Sequence, residues 1–583
     1  MKKYLRKYLK YVKPYYKLQL ITLMFVLISS VLGLQGPIIM KIVIDNVLLS
    51  RNYRLLTIIL FIMVGLFILN SFINFINEYL TKYIAEMISI NMRAEVFSKI
   101  QRMKIKYTNE QKIGDLMNRI IGDVGNVTMF LSNTYIIILS NIFNIITALI
   151  LIISLNYRLA IMNLIIVPIY TFIYLKFMHL IRNNEKRMIE KSSEHYNLLK
   201  EFFSNIKLTK LFNSEKKNEN VYLDLLNNLM VLSFRSFNTH YTFNTLLSSI
   251  YFIFELLILI IGVKEISLGR LSIGGLLVFN SLVSRFFAPV KNFININVEF
   301  QRVFVSIERI EEIVNIPTED TDNELTRTFE TGDIVFKNVS FKYDSINVLK
   351  NIDLKIKNGE KVAIIGPSGS GKSTITNLLL RLYDLEDGDL LINNININEY
   401  SIPSLRDGIG LISQDILLFD TSIKDNICFG SDLSDEEVFN ICKKIGIHDF
   451  ILSLPQQYNT VIGNNGVKLS GGQKQLLSIA RLLTKNPYIC ILDEATSSVD
   501  KQLEINIYKL VFSLFTDKTI IIIAHNQSAI RYVDKIIILD QGEIIAVGTH
   551  EQLISHSSFY TSFYNSNIKE NNLLRGDLYD KTS

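Results

Sequence analysis

Apolar runs of bilayer length fill the first half of the chain. They cover Ile21 to Ile44, Leu55 to Tyr79, Met129 to Leu155, Leu159 to Leu180, Leu246 to Val263, and Leu271 to about Phe293. A helix crosses a bilayer with about twenty residues, so this pattern predicts six transmembrane helices. Asn, Ser and Gly interrupt several runs, which spanning helices tolerate when neighbours satisfy the freed polar groups. A soluble helical core has no need of so many runs this long. The connections alternate in kind. Outer loops are short, as in "SLNYRL" around Asn156 and "KEISLGR" around Leu268. The inner connections, Thr81 to Thr128 and Ile181 to Thr245, are long, charged and helix-patterned. Some twenty-five helical residues reach about 37 Å, so each predicts a helical hairpin projecting below the membrane. The predicted tips are Gln111 to Ile120 and Ser204 to Glu215.

The pattern changes after Asn315. A polar, acid-rich stretch over 316–333 reads as a linker. Alternating "DIVFKNVSFKY" follows, and then short, wholly apolar runs, "KVAIIG", "YICILD" and "KTIIIIAH", of the kind that form buried parallel strands. The organisation expected is a transmembrane domain over 1–315, the linker over 316–333, an α/β domain over 334–565 and a disordered polar tail over 566–583.

Composition sharpens this division. The 583 residues are 49% hydrophobic with a net charge of only +6, and the basic residues form no single stripe, which argues against a nucleic-acid partner. Lys2, Lys3, Arg6, Lys7, Lys10, Lys13 and Lys17 precede the first span with no acid among them. The positive-inside rule places that end in the cytosol, and six spans return the chain there. The apolar run that follows is too long for a cleaved signal peptide and lacks a small-residue cleavage site. The interleaved Tyr, Leu and Lys suit a helix lying on the inner leaflet. Cys428, Cys442 and Cys490 form no CxxC pair, so neither a zinc site nor a disulfide framework is indicated.

The chemistry lies in the second half. "GPSGSGKST", Gly366, Pro367, Ser368, Gly369, Ser370, Gly371, Lys372, Ser373 and Thr374, stands between a strand and a helix, which is the context a P-loop requires. Glycines let backbone N–H groups face phosphates, Lys372 reaches the β- and γ-phosphates, and Ser373 ligates Mg2+. Asp493, at the end of an apolar strand, suits the Mg2+ shell, and Glu494 is placed to polarise the attacking water. His525 ends a third apolar strand, at the strand end where active groups of open α/β sheets collect. A second phosphate-type loop, "GVKLSGGQKQLLSIARLL", places Ser470, Gly471, Gly472 and Gln473 ahead of a helical pattern, and a helix start of this kind favours an anion.

These motifs resemble, in order, those of the ATP-binding cassette (ABC) transporters. They comprise an aromatic A-loop (Tyr343), Walker A (Gly366 to Thr374), a Q-loop (Gln414), the signature "LSGGQ" (Leu469 to Gln473), Walker B (Asp493), Glu494, a D-loop ending at Asp500 and a switch His525. With six spans ahead of one cassette, the whole chain is similar to ABC exporter half-transporters of type IV. "KIGDLMNRI" and "IKLTKLFNSE" are similar to that family's coupling-helix regions. The resemblance implies a membrane α-helical domain with long cytoplasmic extensions, followed by an α/β P-loop NTPase domain of the ABC type. It implies that ATP and Mg2+ are bound, that Tyr343 stacks on adenine, and that Gln414 senses Mg2+ or the attacking water. It also implies that the signature loop of one chain closes over ATP held by a second, which makes a homodimer, or a heterodimer with a related half. The chain departs from the family at Asn464, where Glu is common, and at Asn526, where Arg is common.

The function expected is ATP-driven export or flipping of an amphipathic lipid, drug or small peptide across a bacterial cell membrane, with both termini cytoplasmic. An ATP-gated channel or regulator is the rival reading, disfavoured by intact Glu494 and His525. A separate-chain importer and a soluble ABC ATPase fit less well, the latter being excluded by the spans. Ionisable groups at bilayer depth are costly and mark function. Glu255 and Arg285 lie about 12 Å and 21 Å below the outer surface by helical rise, as an ion pair, with Arg285 facing a cavity and an anionic group, or with either residue snorkelling or packing on a neighbouring helix. Asn70, Asn74 and Asn77 form a polar stripe suited to a cavity wall or to helix–helix contact.

Overall fold

The computed structural model describes residues 2–48, 53–111, 113–319, 327–463, 466, 468–493, 501–524, 530–562 and 564. They form two compact units. The first comprises 1–101 and 112–315; the second comprises 316–583 together with an excursion, Arg102–Gln111, from the first inner connection.

The first unit is helical throughout. A short basic helix α1 (Lys2–Val12) precedes α2 (Tyr16–Leu32), α3 (Gln35–Ile42) and α4 (Tyr53–Gln101). After α5 (Ile105–Glu110), which lies in the excursion, come α6 (Ile113–Asn118), α7 (Val124–Met129), α8 (Tyr135–Leu155) and α9 (Tyr157–Ser204). Then follow α10 (Ile206–Leu211), α11 (Glu215–Ser267) and α12 (Ile273–Val314). Wider π-helical turns at Arg119–Asp123 and Phe130–Thr134 join α6, α7 and α8.

Among the described residues, five helical stretches are long and apolar enough to cross a membrane. The sixth predicted span is the first part of α12, whose apolar portion covers Ile273–Pro289. Phe61, Phe67 and Phe172 are each more than two-thirds exposed, as apolar side chains facing lipid must be. At 49 residues, α4 is roughly 73 Å long, more than twice the hydrocarbon thickness of about 30 Å. The predicted extensions are therefore continuations of the spans themselves.

The first tip differs from expectation. Gln111–Ile120 is mostly a return helix rather than a turn, because Asp115 and Arg119 are held to α12. Arg119 pairs with Asp115 at 2.7 Å and with Glu312 at 2.9 Å, and Arg309 pairs with Asp115 and with Asp123. The turn falls earlier, in Arg102–Gln111 around α5. The second tip, α10, lies within the predicted Ser204 to Glu215.

The N-terminal helix, expected on the inner leaflet, packs against the helical extensions. Tyr8 is 3% exposed, Lys7 pairs with Glu311 on α12 at 2.8 Å, and Lys10 pairs with Glu95 on α4 at 2.7 Å.

The second unit carries two sheets. Strands β1 (Ile334–Tyr343), β2 (Ile346–Ile356), β4 (Asp387–Ile392) and β5 (Ile395–Asn396) form an antiparallel sheet in the order β2-β1-β4-β5. The other sheet runs β10-β9-β3-β8-β7-β6. It is built from β3 (Lys361–Ile365), β6 (Ile409–Ile412), β7 (Ile489–Asp493), β8 (Thr519–Ile523), β9 (Lys535–Asp540) and β10 (Glu543–Gly548). All its pairings are parallel except β10 with β9. The central strands are buried on both faces, which accounts for their near-continuous Ile and Leu runs.

Candidate functional site

The P-loop leaves β3 at Ile365 and enters the helix Lys372–Leu379. Two of its glycines are required sterically. A Cβ on Gly366 would stand 1.9 Å from the Leu539 carbonyl oxygen, which belongs to the backbone and cannot yield. Gly371 caps the helix at φ 103°, and a Cβ there would meet Leu349 at 2.7 Å. The loop thus curls tightly enough to present backbone N–H groups at a helix start, where an anion is favoured. Lys372 is 5% exposed, and its Nζ donates to the carbonyls of Gly366 at 3.0 Å and Pro367 at 2.8 Å. The ammonium is therefore held over the loop. Among the described residues, Ser370 Oγ is buried without a hydrogen-bond partner, an open polar position suited to a phosphate oxygen.

Adjacent strands bring the metal-type residues together. Asp493 ends β7, which pairs with β8, which pairs with β3. Ser373 Oγ donates to Asp493 Oδ1 at 3.3 Å. A hydroxyl and a carboxylate this close are the oxygen donors Mg2+ takes from a protein while keeping several waters. Gln414 lies two residues past β6, whose Ile412 is registered against Leu492, so it leaves the sheet at the same edge as Asp493.

Tyr343 ends β1, and its hydroxyl accepts a hydrogen bond from Asn377 Nδ2 at 3.1 Å. Asn377 lies in the helix that starts at Lys372, so the A-loop ring is tied to the P-loop helix. Ser470 and Gln473 form a capping box at the start of the helix Gly471–Lys485. Gln473 Oε1 accepts from the Ser470 N–H at 2.8 Å, and Gly471 and Gly472 form the first turn. Glu494, Asp500, His525, Asn526 and Asn464 lie outside the described residues.

One positioning residue escapes sequence reasoning. Arg481, on the signature helix, donates to the Asn426 carbonyl at 2.5 Å, to Asn426 Oδ1 at 2.6 Å and to the Leu417 carbonyl at 2.7 Å. It fixes the segment after Gln414 to the signature helix. An arginine within an amphipathic helix carries no local sign of such a role.

In the membrane unit the candidate residues bind neighbouring helices rather than one another. Glu255 accepts from Asn280 at 2.6 Å, and Arg285 donates to the Ser30 carbonyl at 2.7 Å. The ion pair between Glu255 and Arg285 is not formed. The Ser29 hydroxyl lies 2.8 Å from the Oδ1 of both Asn70 and Asn74. These two asparagines therefore serve contact between α2 and α4, one of the alternatives their stripe left open.

A P-loop sheet and helical spans of this kind, in one chain, define an ATP-dependent membrane translocase. The chain belongs to the ABC transporter family. Residues 20–290 match the ABC transporter transmembrane region and residues 349–497 the ABC transporter domain. Among known proteins, it is 30% identical to a Bacillus subtilis protein, YgaD, named as a candidate multidrug export ATP-binding/permease protein, over 96% of this chain and 98% of that one. It is equally 30% identical to the ATP-dependent lipid A-core flippase of Syntrophus aciditrophicus, over 97% and 94%. The solved structure of a bacterial Atm1-family ABC exporter with ATP bound aligns with TM-score 0.83 at 26% identity, covering 94% of this chain and 98% of that chain. The protein is an ATP-hydrolysing exporter integral to the membrane.

Proposed function

We propose that two copies of this chain assemble into an exporter that moves an amphipathic compound, lipid or drug ahead of peptide, out of the cytoplasmic leaflet of a bacterial cell membrane. The observation that carries this reading is the contact between Ser373 and Asp493 beneath the curled P-loop, in a chain whose other unit holds bilayer-length helices. Lys372, Ser373 and Asp493 would hold ATP with Mg2+, which would supply neutralisation of the phosphate charge. Glu494 polarises the attacking water, His525 and Gln414 complete the site, and Ser470, Gly471 and Gly472 of the second copy close over the γ-phosphate. The second inner tip supports a partner: Ile206, Leu208, Leu211 and Phe212 are each more than half exposed, an apolar surface that favours burial. The lipid and drug in the relatives' names support an amphipathic cargo. Both termini then lie in the cytosol.

The test is the ATPase rate of the purified chain in lipid nanodiscs, beside Glu494→Gln, against lipids, cationic drugs and small peptides. Stimulation by one class, abolished in Glu494→Gln, is expected. Undiminished phosphate release by Glu494→Gln would overturn the assignment of the base.

A further inference from the structure

The excursion Arg102–Gln111 is part of the cassette unit, and it stands beside the A-loop. Met103 bridges to Thr318, and the Glu319 N–H donates to the Arg102 carbonyl at 2.8 Å. Two lysines then pair with two acids. Lys106 lies 3.6 Å from Asp344, which follows Tyr343 in the chain, and Lys104 lies 2.6 Å from Asp384, which follows Tyr383. Each acid therefore adjoins one ring of an aromatic pair.

That pair is rigidly set. The Tyr343 and Tyr383 centroids are 5.0 Å apart with the rings at 88°, and Phe341 stands at 86° to Tyr343 at 4.9 Å. With its hydroxyl held by Asn377 as well, Tyr343 has one orientation. It lines a cavity of about 440 Å3 whose other walls include Lys104, Lys106 and Tyr107. A cavity this size is within the range of small-molecule sites, about 300–1,000 Å3. A purine has two faces, and a single tyrosine covers one of them.

We propose that Tyr107 is a second wall of the adenine pocket, held in place by the Lys104–Asp384 and Lys106–Asp344 pairs, so that the nucleotide base binds between the cassette and the excursion. This rests on the reading that Tyr343 stacks on adenine. Its consequence is base specificity: Tyr107 strengthens binding of the nucleoside and leaves binding of the phosphates unchanged.

The experiment is photolabelling of the full chain in nanodiscs with 8-azido-ATP, in EDTA so that no turnover occurs, followed by peptide mapping. ATP and inorganic tripolyphosphate affinities are measured alongside. Label is expected in the peptides carrying Tyr343 and Tyr107. Tyr107→Ala should remove the second label and weaken ATP about five- to tenfold, the effect of one aromatic contact. Tripolyphosphate affinity should stay unchanged, and Tyr107→Phe should restore ATP binding. Label at Tyr343 but never in the excursion would overturn the proposal. So would equal weakening of ATP and tripolyphosphate, since that reports damage to the fold. Absence of label from both peptides would overturn the Tyr343 reading and this proposal with it.

Discussion

At the scale of the residue, Gly366 shows how strictly the phosphate loop is specified. Adding one methyl group places carbon 1.9 Å from the Leu539 carbonyl oxygen, and neither backbone can retreat without unpairing β3 from β9. Gly366→Ala is therefore expected to abolish ATP binding, measured by filter binding or thermal shift with nucleotide. The three thiols give a second expectation. Burial pushes Cys490 up to about 12 and also raises Cys442 and Cys428; Cys490 and Cys442 are buried, whereas Cys428 is half-buried and open to a reagent. Thiol reactivity needs access as well as ionisation, so a maleimide at neutral pH should modify Cys428 alone in the native protein and all three after denaturation. Much at this scale was legible in the sequence, because Gly366, Lys372 and Ser373 act at fixed spacing within a single turn. Arg481 was not, since what defines it is contact with residues distant in the chain, nor was Tyr107, whose cavity is lined by residues more than two hundred positions on.

At the scale of the element, the basic helix α1 is clasped to the extensions by charge. Burial pushes the Glu95 carboxyl up, but hydrogen bonds from Lys10 and Tyr11 and the charges of Lys10 and Lys7 outweigh it, leaving the pKa below the ordinary glutamate value. A depressed carboxylate pKa stabilises above the unfolded value and loses that contribution as pH falls through the folded one. Hydrogen-exchange protection of Lys2–Val12 should accordingly be full at neutral pH and decline as the pH falls below about 4.3. Glu95→Gln should show the loss already at pH 7.

Lengths and periodicities of the long helices could be read from apolar runs, and α10 from its polar break. The first tip could not be placed that way. "KIGDLMNRI" looks like a polar turn until Arg309 and Glu312 on α12 supply partners for Asp115 and Arg119, and the actual turn is marked by Met103 meeting Thr318 more than two hundred residues on. The asparagine stripe of α4 had the opposite difficulty. Its spacing was visible, but only Ser29 on α2 shows what Asn70 and Asn74 bind.

At the scale of the whole molecule, the proposed two-copy site makes a prediction that one chain cannot fulfil. Lys372→Ala removes the phosphate ammonium, and Ser470→Arg blocks the signature loop. If the two grips serve ATP from opposite copies, each variant alone is inactive, and co-expressed variants recover part of the ATPase rate, because half of each mixed dimer pairs an intact P-loop with an intact signature. Absence of any recovery would mean that both grips act within one chain. The excursion has a consequence of another kind, in the timing of synthesis. Its ten residues leave the ribosome about 230 residues before Asp344 and later still before Asp384, an interval of roughly ten to fifty seconds at usual elongation rates. The cassette therefore folds onto a fragment already made and already tethered to the membrane. Expressed by itself from Ile334, it would have to fold without a piece of its own surface.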